Sequence, residues 1–286
     1  MRVSLVLGSG GARGYAHIGV IEELQRAGFE IISISGCSMG SLIGGLYAAG
    51  GLEAYKEWVL ELDVWDVVGL FDISFDKRGF IRGEKVFQKL QEIVGERKIE
   101  DLPIKFTAVA TDIQNNKEIW FQEGDLLRAI RASISIPSFF TPVEINGMLL
   151  VDGGVLNPLP VAPTMSDHSD MIIAVNLYAD KKHPAITLPK SLEVKRKRII
   201  KGIEFIKKSA KKMIKDDDEY SMFDIMDKSF DAMQKALTRY RLASYPPDYL
   251  IEISKDVCGT YDFHKAYEVI EVGRIAAREF LASLEL

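Results

Sequence analysis

Ile34-Ser-Gly-Cys-Ser-Met-Gly-Ser-Leu-Ile-Gly-Gly45 sets one serine, Ser38, between two glycines, with an apolar run before it and a stretch of small residues after it. Ile31 to Ser35 reads as a short strand, Gly36 to Gly40 as a tight turn, and Ser41 to Ala49 as a helix closed by Gly50-Gly51. A strand entering and a helix leaving G-x-S-x-G is the setting of a nucleophile elbow. Gly36 and Gly40 support that turn, because side chains there would collide in a strained bend that pushes the serine hydroxyl outward. The same region admits another reading: Ile31 to Leu52 is 22 residues without a charge, and Gly36, Gly40 and Gly44 repeat the small-xxx-small spacing of packed membrane helices. Six glycines and four serines in that window weigh against insertion, since they remove the sustained Leu, Ile and Phe content it needs.

Working outward, Val3 to Leu7 reads as a strand, Gly8-Ser-Gly-Gly-Ala-Arg-Gly14 as a glycine loop, and Tyr15 to Ala27 as a helix stopped by Gly28. A nucleophilic serine needs N–H donors for the oxyanion it creates, and a glycine-rich backbone near a helix start supplies them. The loop does not fit a dinucleotide fingerprint, whose sixth position here is Arg13, nor a Walker loop, for want of Gly-Lys-Ser/Thr. A base is also required. Asp152, in Leu150-Val-Asp-Gly-Gly154, follows a buried-type strand, where the catalytic groups of open α/β sheets sit, and Gly153 and Gly154 let another segment approach. The plainer reading of the same residues is an Asp that opens a turn.

Further strands are expected at Phe106 to Thr111, Glu118 to Phe121, Met148 to Val151, Met171 to Leu177 and Tyr249 to Ile253, with helices at Gly83 to Val94, Asp125 to Ala132 and about Tyr267 to Leu284. Strands alternating with helices predict a mainly parallel sheet covered on both faces, within one domain spanning residues 1–286. The segment Lys181 to Pro247 departs from this alternation. It is helical in period, and between Lys190 and Lys215 it holds 11 Lys or Arg against 2 Glu. It reads as a basic helical insertion or cap, either a solvated helix face packing on the domain or a docking surface for anionic lipid.

A formal charge of −5 offers no global attraction to nucleic acid, and two cysteines, Cys37 and Cys258, fit free thiols in a reducing compartment. The apolar run at the N-terminus is too short for a secretory signal, so the expected address is the cytoplasm, with peripheral contact at the inner membrane surface through residues 190–215. No spacing of His, Cys and carboxylates calls for a metal, calcium included, and no motif calls for a cofactor. Cys37 is expected to point away from Ser38 as a buried small hydrophobe. The aromatics Trp65, Phe71, Phe75 and Phe80 read either as an acyl-chain wall over Ser38 or as ordinary core.

Together, Gly10-Gly-Ala-Arg-Gly14, Gly36-Cys-Ser-Met-Gly40, Asp152-Gly-Gly154 and the segment Arg128 to Val143, "RAIRASISIPSFFTPV", resemble the patatin-like phospholipase family over most of the chain up to about residue 180. The resemblance implies a three-layer α/β/α sandwich, with a helical C-terminal segment beyond it. It implies a Ser–Asp dyad acting on phospholipid, lysophospholipid or other acyl esters, with Ser38 as nucleophile and Asp152 as general base without a histidine. The loop Gly10, Gly11, Ala12, Arg13 and Gly14 would hold the oxyanion, through amides around Gly10 and Gly11. Arg13 would position that loop or stabilise negative charge, or else form a surface ion pair. Chain order also permits an α/β-hydrolase triad of Ser38, Asp152 and His264, while His17 reads as structural or pocket-lining. Two further outcomes stay open on the same site: a thioesterase or acyltransferase, and a lipid-binding module with negligible turnover.

Overall fold

Val3, Leu5 and Leu7 alternate with Ser4 and Val6, so the first strand presents a different set of side chains to each face of the sheet it enters. The computed structural model describes residues 1–62, 83–137, 139–189 and 222–284, together with residues 66, 73–76, 79–81 and 192. Its strands are β1 (Arg2–Leu7), β2 (Glu30–Cys37), β3 (Ile73–Asp76), β4 (Gly79–Ile81), β5 (Lys105–Asp112), β6 (Lys117–Phe121), β7 (Val143–Ile145), β8 (Met148–Asp152), β9 (Met171–Ala179) and β10 (Tyr249–Ser254). Its helices are α1 (Ala16–Arg26), α2 (Met39–Ala48), α3 (Leu52–Glu61), α4 (Glu84–Val94), α5 (Leu126–Ser133), α6 (Met222–Ser244) and α7 (Ala266–Ser283).

Eight strands form the central sheet in the order β10-β9-β1-β2-β5-β8-β7, with β6 also paired to β5, while β3 and β4 make a separate hairpin. The five strands from β10 to β5 run parallel, and β6, β7 and β8 add an antiparallel margin. On one face Val3, Leu5 and Leu7 pack with Ile18 and Ile21 of α1, Ile43 and Leu46 of α2, and Val269 and Ile270 of α7. On the other face Val6 and Ala174 pack under Leu159, Val161 and Leu242 of α6. The molecule is therefore a three-layer α/β/α sandwich. Among the described residues no helix is long and apolar enough to cross a membrane, and Ile31 to Leu52 is divided between β2 and α2.

One detail of pairing positions the site. Residues 108–109 of β5 pair with β2 and β6, and residues 110–112 pair with β8 and β6. A strand has two edges, so β2 and β8 share one edge of β5 and meet end to end. Strand β2 runs parallel to β5 and stops with Cys37 opposite Val109, while β8 runs antiparallel and stops with Asp152 opposite Ala110. The carboxyl ends of two strands thus collide beside a single step of β5. The residues next in line, Ser38 after β2 and Asp152 at the end of β8, are brought together by backbone pairing alone.

Candidate active site

The chain turns from β2 into α2 at Ser38, whose φ of 54° and ψ of −123° lie where only glycine is at ease, and a residue held there costs about 1–3 kcal/mol. The flanking glycines are dictated by contact. A Cβ on Gly36 would sit 2.5 Å from Gly40 O, and one on Gly40 would sit 2.1 Å from Leu7 O. Segment 133–135 clamps both halves of the site: Ser133 Oγ accepts from Ser38 N at 3.0 Å and donates to Val109 O at 2.6 Å, and Ser135 O accepts from Asp152 N at 2.9 Å.

Ser38 Oγ donates to Asp152 Oδ2 at 2.5 Å. Both side chains are buried, Asp152 completely. The other carboxylate oxygen accepts from Gly154 N at 2.7 Å and lies 3.9 Å from Cys37 Sγ. Burial pushes the Asp152 carboxyl up to about 7, against the opposing hydrogen bonds from Ser38, Gly154 and Cys37. The Cys37 thiol therefore reaches the carboxylate instead of pointing away from the site. Burial and the neighbouring carboxyl raise its own pKa well above the usual thiol range, so it stays a neutral, weak donor.

The glycine loop reaches the same place. Gly11–Tyr15 form a single 3₁₀ turn against the start of α2, so close that a Cβ on Gly14 would sit 2.1 Å from Met39 Cγ. Ala12 N donates to Thr260 O at 2.8 Å and Arg13 N to Gly10 O at 3.2 Å, whereas the amides of Gly10 and Gly11 donate to no acceptor among the described residues. Gly153 and Gly154 follow the carboxylate in a 3₁₀ turn, and a Cβ on Gly153 would sit 2.2 Å from Val109 O. Arg13 lies inside the protein: its Nη2 donates to both oxygens of Asp231 on α6, at 2.9 and 2.8 Å, and to Thr260 Oγ1 at 2.9 Å. Its guanidinium stands 5.0 Å from the Tyr178 ring. It ties the loop to the C-terminal part of the chain, a role for which the sequence offers no local signal.

Ser38 and Gly11 line one cavity of about 80 Å³, whose walls are otherwise apolar or aromatic and include Leu42, Tyr55, Val59, Val86 and Phe263. Among the described residues no histidine bonds Ser38 Oγ or either oxygen of Asp152. His17 is buried, with Nε2 against Gly8 O at 2.8 Å, and burial lowers its pKa to about 4, so the neutral ring donates from Nε2 and braces the loop. His264 sits in the turn Phe263–Lys265. Trp65 and Phe71 lie outside the described residues, as do residues 193–215 of the basic segment, while Phe75 and Phe80 fall in the β3–β4 hairpin. No group of three or more His, Cys, Asp or Glu that could hold a metal occurs among the described residues.

The chain is similar to known proteins. The sequence model of the family described as Patatin-like phospholipase matches residues 5–165. An uncharacterized NTE family protein of Mycobacterium tuberculosis (strain ATCC 25618 / H37Rv) is 37% identical over 333 aligned positions, covering 100% of this chain and 92% of its own length. Lysophospholipase NTE1 of Candida albicans is 35% identical over 181 positions, which are 61% of this chain and 13% of that protein. The crystal structure of VipD from Legionella pneumophila aligns with a TM-score of 0.48 and 14% identity over 99% of this chain and 66% of that one.

Proposed function

Because the chain belongs to the patatin-like phospholipase family, we propose that it hydrolyses lipid acyl esters, phospholipid or lysophospholipid among them, through a Ser38–Asp152 dyad. The observation that carries this reading is the 2.5 Å contact between Ser38 Oγ, in the wall of an apolar cavity, and the carboxylate of buried Asp152 behind it. Lysophospholipid as substrate draws support from the Candida relative, a lysophospholipase by name.

In the proposed reaction Ser38 Oγ bonds to the acyl carbonyl carbon while its proton passes to Asp152 Oδ2. The carbonyl oxygen takes the electron pair and is received by the amides of Gly10 and Gly11. The Ser38 amide is already committed to Ser133, which supports the glycine loop as the source of donors. Collapse breaks the ester C–O bond, and the leaving alcohol takes the proton from Asp152. Water then attacks the acyl-enzyme, Asp152 receives its proton, and collapse releases the fatty acid as the proton returns to Ser38 Oγ. A base whose pKa is raised to about 7 suits this exchange better than an ordinary carboxylate near 3.8. The reading takes residues 1–286 as one unit, supported by the link from Arg13 to Asp231, which joins the glycine loop to α6.

A fluorophosphonate followed by mass mapping tests it. Label is expected on Ser38, and hydrolysis of a short-chain ester is expected to vanish in Ser38→Ala and to fall nearly as far in Asp152→Asn, with His264→Ala mild. Turnover retained by Ser38→Ala, or a greater loss in His264→Ala than in Asp152→Asn, refutes the dyad.

A further inference from the structure

Helix α6 (Met222–Ser244) is amphipathic the wrong way round for a helix packed on a soluble domain. At about 100° per residue, Asp227, Asp231, Gln234, Thr238 and Arg241 share one side. That side faces the protein. Asp231 holds Arg13, Gln234 accepts from Ser9 Oγ at 3.0 Å and from the Tyr178 hydroxyl, and Arg241 bonds Glu118 and Leu156 O. Gln234 and Thr238 are buried. The opposite side carries Ile225, Met226, Met233 and Tyr240, exposed by 57%, 41%, 52% and 71%.

Two observations say what that side meets. Ile225, Met226 and Met233 line a mainly apolar groove of about 240 Å³ with Ile136 and Tyr261, rimmed by Asp227 and Ser229, and Ile136 also lines the cavity that holds Ser38. Phe139, stacked on Tyr261 at 4.4 Å and against Phe140 at 5.1 Å, stands between the two. The apolar side thus shares a wall, Ile136, with the catalytic cavity. Along one border of it run Lys228, Lys235 and Arg239. Lys235, Arg239 and Lys255 converge on Asp180, beside Lys182, Asp256 and the Lys181–Glu279 pair, so that corner sets five cations against three carboxylates.

We propose that α6 is an interfacial helix whose outer face lies on an anionic phospholipid bilayer, so that an acyl chain leaving the bilayer passes along the groove and over Ile136 to Ser38. This rests on the lipid acyl-ester reading of the site. It explains why the inner face is polar: the hydrogen bonds to the glycine loop, with Leu242 packed on the sheet at the far end, hold the helix in place and leave Ile225, Met226, Met233 and Tyr240 for the lipid. The surface is distinct from residues 190–215.

Cosedimentation with vesicles of phosphatidylcholine alone or mixed with phosphatidylglycerol decides it, using the full chain and the variants Met226→Asp/Met233→Asp and Lys235→Glu/Arg239→Glu. Partition of the unaltered protein should favour the anionic vesicles, and each double variant should lower it by about tenfold or more. Fluorophosphonate labelling of Ser38, hydrolysis of a soluble short-chain ester and the thermal midpoint without lipid should stay unchanged. Undiminished partition of the Met variants overturns the proposal, as does failure of the unaltered protein to bind either vesicle. A drop in their thermal midpoint, or dissociation of a dimer in light scattering, would show the face covered by the chain itself or by a second copy, and also overturns it. Ser38→Ala should bind vesicles like the unaltered protein. Binding that persists while Ser38 resists labelling would count against the catalytic reading and not against the surface.

Discussion

The residue that sets the chemistry of the site is Asp152, and its burial gives it a signature that can be measured. With its carboxyl raised to about 7, the base form is gained as pH rises through neutrality, so kcat/KM on a soluble ester should show an acid limb with an apparent pKa near 7. Stability moves the other way. The unfolded chain releases this proton near 3.8 and the folded chain keeps it up to about 7, so the contribution of Asp152 to folding declines as pH climbs through that window and is level above it. His17, lowered from 6.5 to about 4, contributes with the opposite sign between those values, so the comparison must be between the unaltered protein and Asp152→Asn, in which His17 cancels. Asp152→Asn should therefore gain on the unaltered protein from pH 4 to 7, ending more stable by on the order of a few kcal/mol while losing activity. A constant stability gap across those pH values, read by urea unfolding, would contradict the buried-base account. The position of this carboxylate is legible in the sequence because glycines mark the places where backbones crowd: 36 and 40 around the serine, 153 and 154 after the acid. Its basicity is not legible, since it arises from complete burial among segments distant in the chain. Nor does the sequence mark Ser133, whose hydroxyl spans Ser38 N and Val109 O.

At the level of elements, β8 meets β2 end to end and α6 braces the glycine loop through polar contacts. The second arrangement yields a double-mutant cycle. Arg13 is 2% exposed, so Asp231→Leu strands a buried guanidinium and should cost about 3 kcal/mol in urea unfolding, whereas adding Arg13→Met to it should recover most of that loss. Simple additivity of the single changes would mean that the pair is not coupled. Ester hydrolysis should fall in Asp231→Leu chiefly through kcat, because the loop that carries the Gly10 and Gly11 amides loses its tie. Most strands can be read as apolar runs, to within one or two residues at their ends. β7, three residues long, has no such signal, and the collision of β2 with β8 depends on which strand takes which edge of β5, a choice that neither strand's composition encodes. The orientation of helix α6 is not legible in the sequence for a physical reason: a rule that buries the apolar stripe would turn the helix over, whereas in this protein Arg13, Ser9 and Tyr178 have already claimed the polar one.

Across the whole molecule, the cavity is assembled from positions as far apart as Gly11, Tyr55, Val86, Ile134 and Phe263. No local pattern announces it, although the alternation of strands and helices that does announce the sandwich determines that loops from both ends of the chain gather at one edge of the sheet. Its walls are apolar beyond Ser38, so binding should respond to acyl length as transfer from water does. Each methylene that enters contributes up to ~0.8 kcal/mol, and kcat/KM should rise by as much as about fourfold per carbon until the space is filled. Val59, on α3 and 3% exposed, stands in that wall away from the reacting groups. Val59→Trp should therefore move the plateau to shorter chains while changing the rate on an acetyl ester by less than about twofold, because binding remote from the reacting carbonyl is what the added bulk removes. The measurement is kcat/KM along a series of p-nitrophenyl esters. If Val59→Trp and the unaltered protein share one chain-length profile, the acyl group lies elsewhere and the cavity is ordinary packing space. If the acetyl rate collapses with the rest, the substitution has displaced α3 against Ser38, and the smaller change Val59→Leu, which should shift the plateau less, separates the two effects.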